Sequence, residues 1–287
     1  QRGIVPMYKI TFSDGINITV SRDHLWTYYR TYFNNGRVDR EFTGKTENIK
    51  KLVDSGMRRK RVFIPIVKPI EFEEKKLLID AYTLGALLGD GSFRNIGSIG
   101  FSSEDQEILD NLEIGTDKLK QSGNSCDYYI TGTSILNCIR ELGLYGHYSY
   151  DKFIPSNYKF AGISNRIALL QGLMDTDGDI RPDGTVQFCT TSEQLADDVR
   201  FLVQSLGGLA RMNFKVPTYG GGLVGRLAYI LTLAMPDGIN PFRLDRKASV
   251  HRDRVKYKPI RYINTVEEVE DSECICISVD SKDKLYV

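Results

Sequence analysis

Over the first 70 residues, apolar and polar positions form short β-rich runs. Pro6–Phe12 and Asn17–Ser21 flank Ser13–Asp14–Gly15, which predicts a hairpin. Val62–Val67 predicts a further strand, closed by Pro69. The charged stretch Glu71–Lys76 then reads as a domain boundary. From about Leu77 the pattern becomes helices alternating with strands. Helices are predicted at Ala81–Leu88, Glu104–Leu112 and Ser134–Leu142, and strands at Ser98–Phe101 and Tyr128–Thr131. After an extended connector, Asp151–Pro155, the order restarts with a helix at Ile163–Met174, a strand at Val186–Thr190 and a helix at Ser192–Leu206. Strands at Ala210–Pro217 and Leu227–Leu233 follow, joined by the loop around Gly220–Gly222. β character returns from Val255 and runs through Cys274–Val279 to Leu285–Val287.

The middle region repeats itself. A shift of 87 positions pairs Asp90 with Asp177, Gly91 with Gly178, Arg94 with Arg181, Gly97 with Gly184, Ile99 with Val186, Phe101 with Phe188 and Ile108 with Leu195, without a gap. The period is too long for a solenoid, so two units are expected, related by a pseudo-two-fold axis. That symmetry suits a pseudo-symmetric target, of which duplex DNA is the commonest.

Composition adds limits. A chain of 287 residues with 41 % hydrophobic residues is long enough for two domains with ordinary cores. The net charge of +1 neither favours nor excludes nucleic acid, because DNA binding needs a basic face and not a basic total. Basic runs lie at Arg58–Arg61 and from Arg246 to Arg261. Five scattered cysteines make a poor disulfide framework and imply a reducing, intracellular compartment. No apolar run has the length of a membrane span, and no signal peptide opens the chain, so neither a membrane partner nor secretion is expected.

The repeated helices carry candidate chemistry. Each is apolar along most of its length and holds a small residue, Gly85 or Gly172, inside it. Glycine costs about 1 kcal/mol there relative to alanine. Its matched placement implies two helix backbones in close approach. Side by side, such helices would deliver Asp90 and Asp177 together at one end. Paired carboxylates repel unless a divalent cation relieves them, and Mg²⁺ held by carboxylates and phosphate oxygens serves phosphodiester hydrolysis.

Leu170–Gly178 resembles the LAGLIDADG signature nearly letter for letter, and Thr83–Gly91 is a looser copy, with Leu88 where the second copy has Asp175. That family comprises homing endonucleases. The resemblance implies two αββαββα halves (about 78–150 and 160–245) whose sheets form a saddle in the DNA major groove, acting as a monomer. It implies Mg²⁺ (or Mn²⁺) held by Asp90 and Asp177, with Gly89 and Thr176 beside them. Lys152, in Asp-Lys-Phe-Ile-Pro, and Lys247, after Pro-Phe-Arg-Leu-Asp-Arg, also match the family and are candidates to stabilise charge at the scissile phosphate or orient water. The expected substrate is double-stranded DNA with a long recognition site. Candidates for base contacts are Arg94 and Arg181, after the two motif helices, with Gln187, Arg211, Lys215, Arg226 and Tyr229 on strands whose alternate residues face the saddle. The basic runs are candidates for phosphate contacts.

The flanks resemble the Hint fold of inteins, a β-rich horseshoe. Ser21-Arg22-Asp23-His24 is similar to the intein Thr-x-x-His block, and Cys274–Val287 to the C-terminal block F. This implies that His24, with Ser21, activates a scissile peptide for acyl shift. Cys276 at the block F position and Trp26 after His24 resemble an unusual class in which that cysteine is the splicing nucleophile. Cys274 and Cys276 lack a second ligand pair, which argues against zinc. The expected architecture is α+β: a discontinuous Hint horseshoe (1–72 and 249–287) with an inserted pseudo-two-fold LAGLIDADG domain (73–248). The outermost intein blocks are not in the sequence, so a complementary N-terminal intein fragment is an expected partner. Two alternatives stand beside an active intein-borne endonuclease. An inactive endonuclease would leave a splicing or DNA-binding protein, against which intact Asp90 and Asp177 argue. A LAGLIDADG-type regulator or RNA maturase would lack the Ser21–His24 and terminal blocks.

Overall fold

The computed structural model describes residues 3–33, 36–55, 62–123, 125–219, 222–254, 259–275 and 280. The chain divides into two compact units, one formed by Gln1–Val67 with Pro259–Val287, the other by Lys68–Lys258.

The first unit is built on one six-stranded sheet. Its strands are β1 (Ile4–Phe12), β2 (Asn17–Ser21), β3 (Leu25–Phe33), β4 (Arg37–Lys45), β5 (Val62–Ile64) and β16 (Arg261–Glu273), in the order β2-β1-β16-β5-β3-β4. Helix α1 (Thr46–Asp54) follows β4 and buries Ile49 against the sheet core of Tyr8, Ile10, Phe12, Trp26, Tyr28 and Val266. The β1–β2 turn passes through Gly15 at φ +87°, a left-handed conformation that glycine adopts without strain. β1 and β16 pair antiparallel with a register shift between Val5 and Met7, where Pro6 has no N–H to give the ladder. Asp14, in the hairpin turn, is buried and pairs with Arg261 of β16 at 2.8 Å, locking the turn onto the returning chain. Arg261, nominated with the basic run for phosphates, is therefore engaged inside this unit.

In the second unit the chain runs twice through one plan. The first pass is α2 (Ala81–Asp90), β6 (Gly91–Ser92), β7 (Ser98–Ser102), α3 (Gln106–Asp110), β8 (Lys118–Gln121), β9 (Asp127–Thr131) and α4 (Ser134–Glu141). After the short α5 (Ser156–Lys159) the second pass is α6 (Ile163–Thr176), β10 (Gly178–Ile180), β11 (Val186–Thr190), α7 (Glu193–Ser205), β12 (Leu209–Lys215), β15 (Ala228–Ala234) and α8 (Asp245–Arg254). Its one added feature is a small hairpin, β13 (Thr218–Tyr219) with β14 (Leu223–Val224). The two four-stranded sheets have the same topology, β6-β7-β9-β8 and β10-β11-β15-β12. They share register too, with Gly91 opposite Phe101 and Gly178 opposite Phe188.

α2 and α6 form the centre of this unit. Seven of the first eight residues of α2 after Ala81 are buried with it, so this helix has no solvent face. Asp80 caps α2, accepting from the Thr83 N–H at 2.8 Å, and Ser192 caps α7. A Cβ on Gly85 would stand 2.2 Å from the Leu169 carbonyl oxygen, and one on Gly172 2.1 Å from that of Tyr82. The two backbones therefore touch. Among the described residues no helix is long and apolar enough to cross a membrane.

Gly172→Ala is expected to lower stability by about 1–3 kcal/mol, because the obstacle is backbone that no rotamer change can move. Thermal melting checks this. The loss corresponds to roughly 2–4 °C per kcal/mol in a domain of this size, and a wild-type melting point would refute the close crossing.

Candidate active site

Because α2 and α6 touch at their glycines, their C-terminal ends converge. A Cβ on Gly89 would stand 2.0 Å from the Thr176 hydroxyl oxygen and 3.6 Å from the Asp177 carboxyl carbon. The Thr176 hydroxyl is turned inward, donating to the Gly172 and Leu173 carbonyls at 2.9 and 3.0 Å. Asp90, the last residue of α2, is exposed, and Asp177, the cap of α6, is partly buried.

Behind each carboxylate lies a buried lysine. Lys152 Nζ donates to the carbonyls of Leu87, Leu88, Gly89 and Gly91 at 2.7–3.3 Å. Lys247 Nζ donates to those of Met174, Asp175 and Gly178 at 2.7–3.1 Å. The two carbonyl sets coincide under the 87-residue shift: Leu87 with Met174, Leu88 with Asp175, Gly91 with Gly178. Each ammonium neutralises the negative end of a helix and satisfies carbonyls that the helix leaves unpaired. Both lysines, nominated for the scissile phosphate, thus sit beneath the carboxylates with their hydrogen bonds spent on backbone.

Charge at the centre is finely balanced. Burial pushes Asp177 up to about 6, helped by the Asp90 charge and opposed by Lys152 and Lys247. The surrounding protein also desolvates the Asp90 carboxylate enough to raise its pKa, although the residue keeps solvent access at the helix end, against the pull of both lysines. Burial lowers Lys152 to about 8, while Asp177 and Asp90 hold it up, so it remains an ammonium at neutral pH. Lys247 is lowered too, by burial and then by Arg246.

A divalent cation fits this donor set. Among the described residues no hydrogen-bond donor is directed at the side-chain carboxylate of Asp90 or Asp177, and the one bond that Asp177 accepts here is at its backbone carbonyl, from the Cys189 N–H at 3.4 Å. No group of three or more His, Cys, Asp or Glu gathers among the described residues, so remaining ligands would be backbone carbonyls, water and phosphate oxygens, as Mg²⁺ commonly takes. The Gly89 carbonyl has given one lone pair to Lys152 at 3.1 Å.

Several positioning residues were not among the sequence candidates. Ser192 donates to the Lys152 carbonyl at 2.6 Å, and Asp198 accepts from the Ile154 N–H at 2.8 Å and pairs with Lys159 at 2.7 Å. The signal for Asp198 is an acid on the apolar face of α7, among Leu195, Val199 and Leu202. Asp175 is buried and accepts from the Tyr82 hydroxyl at 2.9 Å and the Leu244 N–H at 3.0 Å. That anchors the start of α8 and so sets Lys247. Leu88, its counterpart in the first repeat, packs in the core.

The DNA candidates separate by face. On β11 the buried side is Val186, Phe188 and Thr190, and Gln187 points outward. Gln187 lies opposite Thr232, which lies opposite Arg211, so these three share the outer face with Lys215. Arg181 is exposed and donates to Gln187 at 2.9 Å. Tyr229 requires correction. It pairs with Thr190 on the buried side and packs edge-on against Phe214, because the true strand phase puts it opposite in facing to Thr232. Arg226 also differs from expectation, lying in the loop before β15 and not in a strand. Arg94 lies in the β6–β7 loop. Arg246, from the second basic run, pairs with Asp105 at 2.8 Å. Arg58–Arg61 lie outside the described residues.

In the first unit, Ser21 is buried at the end of β2 and His24 is partly buried before β3. Thr46 ties them together: its hydroxyl donates to the Ser21 carbonyl at 2.9 Å, and its N–H to the His24 carbonyl at 3.0 Å. The Trp26 indole N–H donates to the Thr46 hydroxyl at 3.0 Å, and its ring meets the His24 ring edge-to-face at 4.9 Å. Burial lowers the His24 pKa, keeping the imidazole neutral near pH 7. Cys276 lies outside the described residues.

Residues 164–228 match a family model described as a LAGLIDADG-like domain. Over 302 aligned residues the chain is 28 % identical to the replicative DNA helicase DnaB of Mycobacterium intracellulare, covering 98 % of this chain and 48 % of the helicase. It is 26 % identical to DnaB of Rhodothermus marinus over 252 residues, covering 79 % of this chain and 24 % of the helicase. The chain therefore spans about half, or less, of the length of these curated relatives. Among solved structures it is similar to I-DmoI in complex with DNA and Ca, at a TM-score of 0.41 and 13 % identity over 61 % of this chain and 97 % of that one. Mesophilic variants of the homing endonuclease I-DmoI align at a TM-score of 0.36 and 16 % identity over 63 % and 97 %. The matched stretch runs from the second residue of α6 to the first residue of β15 and so falls within the second pass of the repeated plan.

Proposed function

We propose that residues 68–258 are a homing endonuclease making metal-dependent double-strand breaks in DNA, carried within a protein-splicing domain of the Hint type made by residues 1–67 and 259–287. The observation that carries the nuclease reading is the matched pair of ends. Two glycine-crossed helices each deliver an unpaired aspartate, and each is backed by a buried lysine on equivalent carbonyls. When bound, Mg²⁺ or Mn²⁺ would polarise a scissile phosphate and activate water. Asp90 and Asp177 would hold it, one serving each strand. Lys152 and Lys247 keep positive charge beneath the phosphate and fix the carboxylates in place. Gln187, Arg211, Lys215 and Arg181 on one outer sheet face would read base edges. The similarity to helicases covers 98 % of this chain but at most 48 % of a relative, which favours an insert in a replicative helicase gene. The DNA target is then the allele lacking that insert.

The splicing reading rests on the Ser21–His24–Trp26–Thr46 cluster, where the Thr46 bonds fix the His24 backbone and the imidazole packs edge-on against Trp26. With the outermost intein blocks supplied, and within flanking helicase sequence, the chain should be excised with ligation of the flanks. His24→Ala should slow that roughly 100-fold or more. Cys276→Ala separates the splicing classes: abolished splicing assigns the nucleophile, and unchanged splicing removes it.

A plasmid bearing the insert-free helicase gene should be cut on both strands with Mg²⁺ and left intact with chelator. Asp90→Asn and Asp177→Asn should each reduce cutting by roughly 100-fold or more, or leave nicking, and Lys152→Met by about 10–100-fold. Binding without cutting by the unaltered chain would instead indicate an inactive endonuclease. At limiting Mg²⁺ the rate should rise as pH rises through about 6, where Asp177 loses its proton. More Mg²⁺ should move that limb to lower pH, since metal and proton compete.

Without metal, Asp177 binds its proton more tightly folded than unfolded, so its ionisation destabilises the protein as pH rises from about 4 through 6. Asp177→Asn should therefore melt several degrees higher than the unaltered chain at pH 7 in chelator. The advantage should close below about pH 4, and its absence at pH 7 would contradict the strained pair.

A further inference from the structure

Between the two repeats the chain makes a turn, residues 143–151, whose aromatic side chains the nuclease reading does not use. Tyr148 and Tyr150 stack face to face, with centroids 5.0 Å apart and planes 15° from parallel. The Arg94 guanidinium caps one end, 3.8 Å from the Tyr148 centroid, and that of Arg226 the other, 3.9 Å from the Tyr150 centroid. The order is Arg–Tyr–Tyr–Arg, with one arginine from each repeat. Among the described residues neither arginine has an ion pair, whereas Arg246 and Arg200 elsewhere in this unit pair with Asp105 and Asp197. Both arginines are exposed, and so is Tyr148.

A guanidinium stacked by its face keeps the N–H groups around its edge for hydrogen bonds, and that edge matches the oxygens of a phosphate. The stack cannot easily swing. The Gly146 N–H donates to the Phe93 carbonyl at 2.9 Å, and His147 Nδ1 is bonded to the Asp151 carbonyl at 3.0 Å. Two residues beyond Tyr150, Lys152 is buried under α2. Arg94 follows Asp90 by four positions, and Arg226 packs on Tyr150, two positions before Lys152; two cations oriented in this way are what a polyanion would find ready-made.

We propose that Arg94, Tyr148, Tyr150 and Arg226 form a phosphate clamp on the bound duplex, with the inter-repeat turn as its rigid frame and one arginine on each DNA strand. This rests on the endonuclease reading. It assigns Arg94 and Arg226 to the DNA backbone and not to base edges, so they hold the duplex in place without reading its sequence. The tyrosines are positioning residues that act through the arginines.

The test is fluorescence anisotropy of target and unrelated duplexes of equal length, in Ca²⁺, across a KCl series. Arg94→Ala and Arg226→Ala should each flatten the plot of log affinity against log salt by about 0.9. Both duplexes should weaken by the same factor. Arg94→Lys with Arg226→Lys should keep the slope, which separates lost charge from a damaged fold. Tyr148→Leu with Tyr150→Leu should weaken binding and keep the slope. Salt-dependent binding by the unaltered chain with unchanged slopes in the alanine variants would overturn the clamp and leave the nuclease reading standing. Weakening confined to the target duplex would overturn it in favour of base contacts. No salt-dependent binding by the unaltered chain would overturn both.

Discussion

The contact between the backbones of α2 and α6 is the constraint on which the second unit depends. At Gly85 and Gly172 there is no room for a methyl group on either helix. Helices that touch at mid-length and cross at a fixed angle must bring their ends to a fixed separation, and here both C-termini end at an aspartate. The same convergence collects two sets of unpaired carbonyls and two partial negative charges. Two carboxylates added to two negative helix ends would be untenable without cations. Lys152 and Lys247 are therefore part of the same solution as the glycines.

Each lysine is set by the opposite repeat. Lys152, at the close of the first, is held through Ser192 and Asp198 at the second repeat's α7. Lys247, in the second, is held by Asp175 with Tyr82 of the first, while Asp245 and Arg246 beside it bond Glu107 and Asp105 of the first. Burying an ammonium is costly, and three or four carbonyls offset that cost only if the geometry is kept. A repeat separated from its twin would lose both the glycine contact and its lysine's support. The centre therefore belongs to the pair and to neither half.

Much of this was legible in the sequence where one physical cause dominates. The glycines inside apolar helices could be read as a close crossing because nothing else excuses them there. The aspartates followed from that crossing, and the hairpin at Ser13–Gly15 from its turn residues. What failed was phase. Tyr229 looks like an outward position in Leu227–Leu233, but the strand begins at Ala228 and its register with Thr190 turns that ring inward. Long-range capture was also invisible: nothing local marks Arg261 as the partner of Asp14, 247 residues away in the chain. The lysines were found through their motifs, yet their bonding to carbonyls depends on two helix ends that only the folded chain brings within reach.

The repeats agree where they must pack and differ where they need not. Under the 87-residue shift, inward positions keep their type, Ile99 with Val186 and Phe101 with Phe188. The outward neighbours do not: Gly100 stands for Gln187, and Ser102, bonded to Asp127, for Cys189. The second sheet alone carries the β13–β14 hairpin. A symmetric frame with unlike outer faces suits a duplex whose two halves differ in sequence while their backbones remain related by symmetry. On that view the shared features, the carboxylates and the lysines beneath them, face what is alike in the two DNA strands, and the divergent faces meet what is not.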